Sequence, residues 1–407
     1  MRLAEVDLWN PDVFVQGVPH EAFRTLRLED PVHRHKENPG GPGFWAVTRY
    51  ADVVTVSKDP GLFSSFRGGT NIPDYPPDDM AMIRMMMVNM DPPQHGKFRK
   101  LARTGFTPRI VAQMEPKVRA AAAAIVDQVA GLGRCDFVTK IAAELPLQVI
   151  ADLLGIPQED RHKVFNWSNR LIGFDDPEVQ TSFEDAKIAA AEVWMYANQL
   201  ATMRKGTPGE DMVSVLMNAV VDGERLTEME FDGFFLLLAV AGNETTRNLI
   251  SGGMLALIEH PEQRARLIAD PGLIPSAVEE MLRWVSPVMH FRRTATRDTE
   301  LGGKKIAEGD KVVMYYPSAN RDEQVFPGGD RFDVGRTPNE HLAFGAGEHF
   351  CLGSSLARVE IRIMFEELLR RLPDLELAGN VRRLRSNFIN GWKEIPVRFT
   401  PGPVSGT

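Results

Sequence analysis

Three stretches of this 407-residue chain carry residue types that do chemistry. The first is FGAGEHFCLGSSLARVEIRIMFEELL, Phe344 to Leu369, in which Cys351 stands between a glycine-rich turn and an amphipathic helix. Leu356, Val359, Met364, Leu368 and Ile361, Phe365, Leu369 recur at the three- and four-residue spacing of a helix. Gly345, Gly347 and Gly353 leave room for something flat and bulky against the backbone. A cysteine at or just before a helix N-terminus meets free N–H groups and the positive end of the dipole, which favour a thiolate. A thiolate is a nucleophile or a metal ligand. His349, two residues away, is the base that a nucleophile needs. Two cysteines, Cys135 and Cys351, with no C-x-x-C, do not make a zinc site. A haem iron needs one axial thiolate, an opened backbone and cations for its propionates, and His349 could be one of these. A buried structural cysteine is the common alternative, but it leaves the glycines, His349 and Phe344 without a shared reason.

The second stretch is AGNETT, Ala241 to Thr246, inside an otherwise apolar run. Gly242 weakens a helix by ~1 kcal/mol relative to alanine. A buried Glu244 is costly unless paired or functional, and the threonine hydroxyls can bond carbonyls one turn back. A structural salt bridge to Arg247 is one reading. The other is a groove where dioxygen and water sit beside an acid and a hydroxyl. The third stretch is HGKFRKLARTGF, where His95 and Arg99 share one helix face, as a solvated pair or as two cations reaching one anion.

The spacing F-x-x-G-x-H-x-C-x-G, here Phe344, Gly347, His349, Cys351 and Gly353, resembles the haem-binding loop of the cytochrome P450 family. AGNETT resembles that family's oxygen-activation helix. H-x-x-x-R after Asp91 to Pro93 resembles its propionate-gripping pair. The motifs appear in family order along essentially the whole chain. The resemblance implies haem b with Cys351 as axial ligand, and contacts from Ala241, Phe344, Gly345, His349 and Gly353. It implies that His95, Arg99 and Arg293 hold the propionates, with Arg292 as the alternative to Arg293. Glu244 becomes the acid of a proton-delivery path, where many members carry aspartate, and Thr245 its hydroxyl. Glu280 and Arg283 match a structural Glu-Arg pair joined by a later arginine, Arg331 by preference and Arg336 as the fallback.

The implied reaction inserts one oxygen atom from dioxygen into a C–H bond of an apolar molecule. FNWSNRLIGFDDP and AGNETTRNLISG look like bacterial members that oxidise sterols, branched-chain lipids or terpenes. Met86 and Met87, in a methionine run within a long irregular segment, suit a pocket for irregular apolar shapes. Val240, Val288, Met289 and Phe388 border the same pocket in this reading. Two electrons must come from outside. The chain carries no flavin motif, dinucleotide motif or iron–sulfur cysteine set, so a ferredoxin and its reductase are implied, with Lys97, Lys100 and Arg103 as part of a docking patch. A haem-thiolate peroxygenase and a non-catalytic haem sensor or carrier are the alternatives.

These residues need elements to place them. Hydrophobic residues at 43% are ample for a large core, and charged residues at 25% are ordinary for a globular protein. A net charge of −8 argues against a general nucleic-acid binder. The N-terminal residues have no apolar stretch of the signal-peptide kind, and the run Phe234 to Gly242 is far short of the ~20 residues of a membrane span. With no disulfide framework, a cytoplasmic setting is expected. Short strands are predicted at Pro31–Arg34, Phe44–Tyr50, Val288–Asp298, Gly302–Val313 and Ser386–Phe399. Helices are predicted over Pro108–Gly131, Val138–Leu154, Gln158–Phe174, Pro177–Arg204, Met212–Val221 and Ile274–Trp284. The longest begins at a Thr227–Glu230 capping box and runs to about Ile258. A breaker spans Lys205 to Asp211, and residues 401–407 read as a disordered tail. The expected fold is mainly α with small antiparallel β-sheets, in one domain over residues 1–407.

Overall fold

The computed structural model describes residues 1–407 apart from 38, 174, 180–181, 205–208, 210, 219, 222 and 404–407. Most of the breaker at 205–211 and the end of the expected tail lie outside the described residues.

The chain is organised around one helix, Glu228–Glu259. The Thr227 hydroxyl accepts from the Glu230 N–H, and the Glu230 carboxylate accepts from the Thr227 N–H at 2.9 Å, so the predicted capping box closes. At 1.5 Å per residue its 32 residues span roughly 48 Å. It is buried nearly all round, against the helices Glu144–Leu154, Arg161–Ile172, Phe183–Arg204, Ile274–Val285 and Ser354–Arg371. Close approach at its C-terminal half depends on glycine. A Cβ on Gly252 would meet the Trp392 ring at 2.3 Å. The helix Ser354–Arg371 buries Leu356, Ile361, Met364, Phe365 and Leu368 and lies along Pro108–Ala130, which Thr107 caps.

The fold is mainly helical with small sheets, as the sequence indicated. The largest sheet has strand order Val32–His35, Phe44–Val47, Lys311–Tyr315, His290–Ala295, Phe63–Ser64. One pairing in it is parallel, Lys311–Tyr315 beside Phe44–Val47, and the others are antiparallel. Arg134–Asp136 forms a strand that the sequence reading missed, and it pairs with Pro396–Arg398. Several boundaries shift by a turn. The expected helix at Val138 opens as a π-turn, Val138–Ala142, before the α-helix Glu144–Leu154, which ends at Gly155 with φ 74°. Pro177 lies in a turn, and the helix begins at Phe183. Met212–Asn218 is helical, but Val220–Val221 pairs with Glu224–Arg225.

The Glu-Arg pair is fully buried, with Arg283 Nη2 2.7 Å and Nε 2.8 Å from the two Glu280 oxygens. The arginine that joins it is Arg336, whose Nε is 3.1 Å from Glu280 Oε2. This corrects the preference for Arg331. The Arg331 residue is exposed, and it contributes its carbonyl, which accepts from Arg283 at 3.1 Å and from Arg336 at 3.0 Å. Its backbone serves the same knot that its side chain was expected to serve.

Among the described residues no helix is long and apolar enough to cross a membrane.

Candidate functional site

A cavity of about 260 Å³ separates the central helix from the loop that leads into Ser354–Arg371. Cys351 lines this cavity and exposes its surface there. The loop is shaped by glycine where the backbone requires it: Gly345 and Gly347 have φ of 72° and 68°. A Cβ on Gly347 would also meet the Ser57 carbonyl oxygen at 2.4 Å. The Cys351 N–H donates to the Phe344 carbonyl at 2.9 Å and closes the loop on itself. Arg358 lies 4.7 Å from the centre of the Phe344 ring. Burial pushes the Cys351 thiol up, against the amides of Gly353 and Ser354 and the charges of Arg99 and Arg358, which all favour the thiolate. Burial outweighs these groups, so a thiolate here calls for a further cationic partner.

One end of the cavity gathers four basic side chains: His95, Arg99, Arg293 and His349. The His95 and His349 rings are 4.1 Å apart. Arg99 donates to the Phe350 carbonyl at 2.6 Å, and buried Arg293 donates to the Arg292 carbonyl at 2.9 Å. Burial, then Arg99 and Arg293, lowers His95 to about 4. Burial, then Arg293, His95 and Arg99, lowers His349 to about 2. Glu348 comes within 3.8 Å of His95, and Asp91 opposes the shift. The cations still outweigh the carboxylates, so this end is prepared for added negative charge. Arg292 points elsewhere, to Asp74 at 2.7 Å, so the side chain lining the cavity is that of Arg293.

The opposite wall is the central helix, through Leu237, Leu238, Ala241, Gly242, Thr245 and Thr246. Thr245 Oγ1 donates to the Ala241 carbonyl at 2.9 Å, the back-bond that loosens a helix. Glu244 is not in the wall. It is buried, and its Oε2 is 2.5 Å from Arg247 Nη2 and 3.4 Å from Asn248 Nδ2. Oε1 has no partner. Burial raises this carboxyl, against the pull of Arg247 and Asn248.

Of the expected pocket residues, Met87 and Val288 line the cavity, whereas Met86, Val240, Met289 and Phe388 do not. Val240 lies off the helix face that carries 237, 238, 241 and 245. Met289 turns to the other side of its backbone, into a cluster with Leu8, Phe14 and Phe23. The Phe388 ring lies behind the wall, 5.8 Å from Phe291, which does line the cavity. The sequence reading missed Phe291, Tyr316 and Glu360. Glu360 had a signal: an acid on the apolar stripe of its helix, in step with Leu356 and Met364. It is buried, burial holds its carboxyl well above the usual range, and Oε2 has no partner.

A thiol on one face, apolar walls and an excess of cations at one end fit a flat macrocycle with acidic groups along one edge. They fit zinc poorly, since no cluster of three or more His, Cys, Asp or Glu occurs among the described residues.

Residues 272–379 match the family model described as Cytochrome P450. The chain is 43% identical to the steroid C26-monooxygenase of Rhodococcus jostii, over 97% of this chain and 84% of that one. It is 44% identical to the methyl-branched lipid omega-hydroxylase of Mycobacterium tuberculosis, over 98% and 95%. It is 40% identical to the linalool 8-monooxygenase of Pseudomonas putida, over 97% and 99%. Its fold is similar to that of a Mycobacterium marinum cytochrome P450 in complex with pseudoionone, with a TM-score of 0.90 at 40% identity, covering 97% of this chain and 98% of the other.

Proposed function

Belonging to the cytochrome P450 family, this chain is a haem-dependent monooxygenase, and we propose that it hydroxylates a steroid, a methyl-branched lipid or a terpene. The observation that carries this reading is a single cavity shared by the Cys351 thiol, the Thr245 hydroxyl and a basic end. The reaction consumes the substrate, dioxygen, two electrons and two protons, and yields the alcohol and water.

Haem b, when bound, supplies dioxygen activation, and an anionic sulfur donor raises the electron density on its iron. Everything else falls to this chain. Cys351 gives up its proton and provides that sulfur; the Gly353 and Ser354 amides and Arg99 and Arg358 stabilise the negative charge. His95, Arg99, Arg293 and His349 would hold the carboxylates of the macrocycle, whose negative charge would offset the excess of cations at this end. Leu237, Leu238, Met87, Val288 and Phe291 exclude water and offer an apolar surface to the substrate. The Thr245 hydroxyl can exchange its bond to the Ala241 carbonyl for one to a guest in the cavity. Glu244, behind the wall, holds the proton to be delivered. Half-buried Lys97 and exposed Lys100 lie on the helix Gln94–Ala102, which also carries His95, and exposed Arg103 follows it; together they suit an acidic ferredoxin served by its reductase. One domain and a cytoplasmic setting complete the proposal.

Reduced protein treated with carbon monoxide tests the first link. A long-wavelength Soret band is expected, and Cys351→Ser should lose it while remaining folded by circular dichroism. A histidine-type spectrum in the parent protein would overturn the assignment. Titrating sterols, branched fatty acids and terpenes against the haem spin state, with product analysis in the presence of ferredoxin and reductase, then tests the substrate class.

A further inference from the structure

The Arg247 guanidinium that pairs with Glu244 is also held by a second helix. Its Nη1 donates to Asn169 Oδ1 at 3.0 Å, and its carbon lies 5.2 Å from the centre of the Phe165 ring. Phe165 and Asn169 are four apart on Arg161–Ile172, so one face of that helix supplies both contacts. Arg247 is buried with its Nε unpartnered, and Glu244 is buried with its Oε1 unpartnered. Each charge therefore leans on few contacts, in a setting where one contact weighs heavily.

We propose that Asn169, with Phe165, is a positioning residue for Glu244 acting through Arg247, so that the seating of Arg161–Ile172 on the central helix sets how firmly the carboxylate is held. The proposal rests on the reading of Glu244 as the proton-holding acid. The groups around Glu244 make Arg247 its charged neighbour. Arg161–Ile172 brings neutral Asn169 and Phe165, and Glu144–Leu154 brings Ile150, which packs at Gly242. The C-terminal segment brings the Trp392 N–H, 3.4 Å from Asn248 Oδ1. Phe183–Arg204 meets the central helix through Asn198 and Asp232, about three turns away. Of the three acids on Ser354–Arg371, Glu360 is the one at the cavity wall, and the Glu280–Arg283 pair of Ile274–Val285 is tied to Arg336.

The seat is also joined to the next helix. Arg170, one residue beyond Asn169, pairs with Asp185 at 2.6 Å and Glu192 at 2.8 Å on Phe183–Arg204. Movement of these two helices as a unit would draw Asn169 from Arg247, loosen the guanidinium and make the carboxylate harder to ionise.

Infrared spectroscopy of the resting holoenzyme reads this without turnover. The protonated-carboxyl band of Glu244 is identified by its loss in Glu244→Gln, and its pH midpoint is compared among variants. Asn169→Leu is expected to raise the midpoint by about one pH unit, a tenfold change in proton affinity of the size that losing one hydrogen bond to a charged group gives. Phe165→Leu should raise it less. The high-pH limb of product yield per electron should move the same way. A band with the same midpoint in all three proteins, or absent from all three, overturns the proposal. If Glu244→Gln leaves turnover and its solvent isotope effect unchanged, the acid role of Glu244 fails, while the midpoint comparison still decides whether Asn169 governs its proton.

Discussion

Thr245 bonds only within its own helix turn among the described contacts, so its hydroxyl is free to change partner without loss of a tertiary bond. Thr245→Ala should leave the fold and haem uptake intact. It should lower product formation by about 10²-fold, the lower end for a lost proton-transfer group, while electrons continue to be consumed. Measuring product against NAD(P)H oxidation checks this; unchanged yield would count against the role. Asp175 offers a test away from the cavity. Burial, ahead of the attraction of Arg385 and the Asn387 amide, raises its carboxyl to about 6, and Oδ2 has no partner. A folded-state value raised above the ordinary 3.8 means that the folded protein binds the proton more tightly. The resulting stability is full below that value and is lost as pH rises through 6. Asp175→Asn should therefore be more stable than the parent by about 1–3 kcal/mol at pH 8 and indistinguishable below pH 4, as read by denaturant titration. At this scale the sequence was informative where chemistry is local. Cys351, its glycines and His349 lie within ten residues, and the Glu244–Arg247 pairing follows from helical spacing. Asn169 is 78 positions from Arg247, and no periodicity links them.

The knot at Ile274–Val285 shows what one element asks of distant chain. Glu280 accepts from Arg283 and Arg336 side chains and from the Asp333 N–H at 2.9 Å, so this buried carboxylate is well paired. Removing one partner leaves uncompensated charge, and Arg336→Ala should cost about 3–5 kcal/mol. Arg331→Ala keeps the carbonyl that the knot uses and should change stability by no more than about 0.5 kcal/mol. Thermal denaturation of both variants checks the pair of outcomes; equal losses would mean that the Arg331 side chain matters after all. Two arginines five residues apart in an irregular segment look alike in sequence, because no repeat tells which one turns inward. The same holds for Val288 and Met289. The chain leaves Pro287 without a settled register, and a slip of one residue exchanges the faces. Helix existence was legible because hydrophobic spacing is a local property, while the Arg134–Asp136 strand depends on a partner near residue 397.

For the molecule as a whole, buried neutral histidines set the acid limit. His290 is buried beside Tyr315 and Phe388, and burial lowers it to about 4 against the pull of the Asn387 carbonyl. The unfolded chain takes up this proton from about pH 6.5 downward, and the folded chain does not. Its stabilising contribution is thus complete above pH 6.5 and lost as pH falls towards 4, a total of roughly 3 kcal/mol. His290→Gln should flatten the decline in unfolding free energy over that interval; an unchanged slope would show that another group governs it.

Arg134–Asp136 finds its strand partner at Pro396–Arg398, and Gly252 is covered by Trp392. Synthesis must therefore pass Trp392 before the central helix acquires this neighbour. Arrested nascent chains that stop short of Trp392 should therefore emerge colourless.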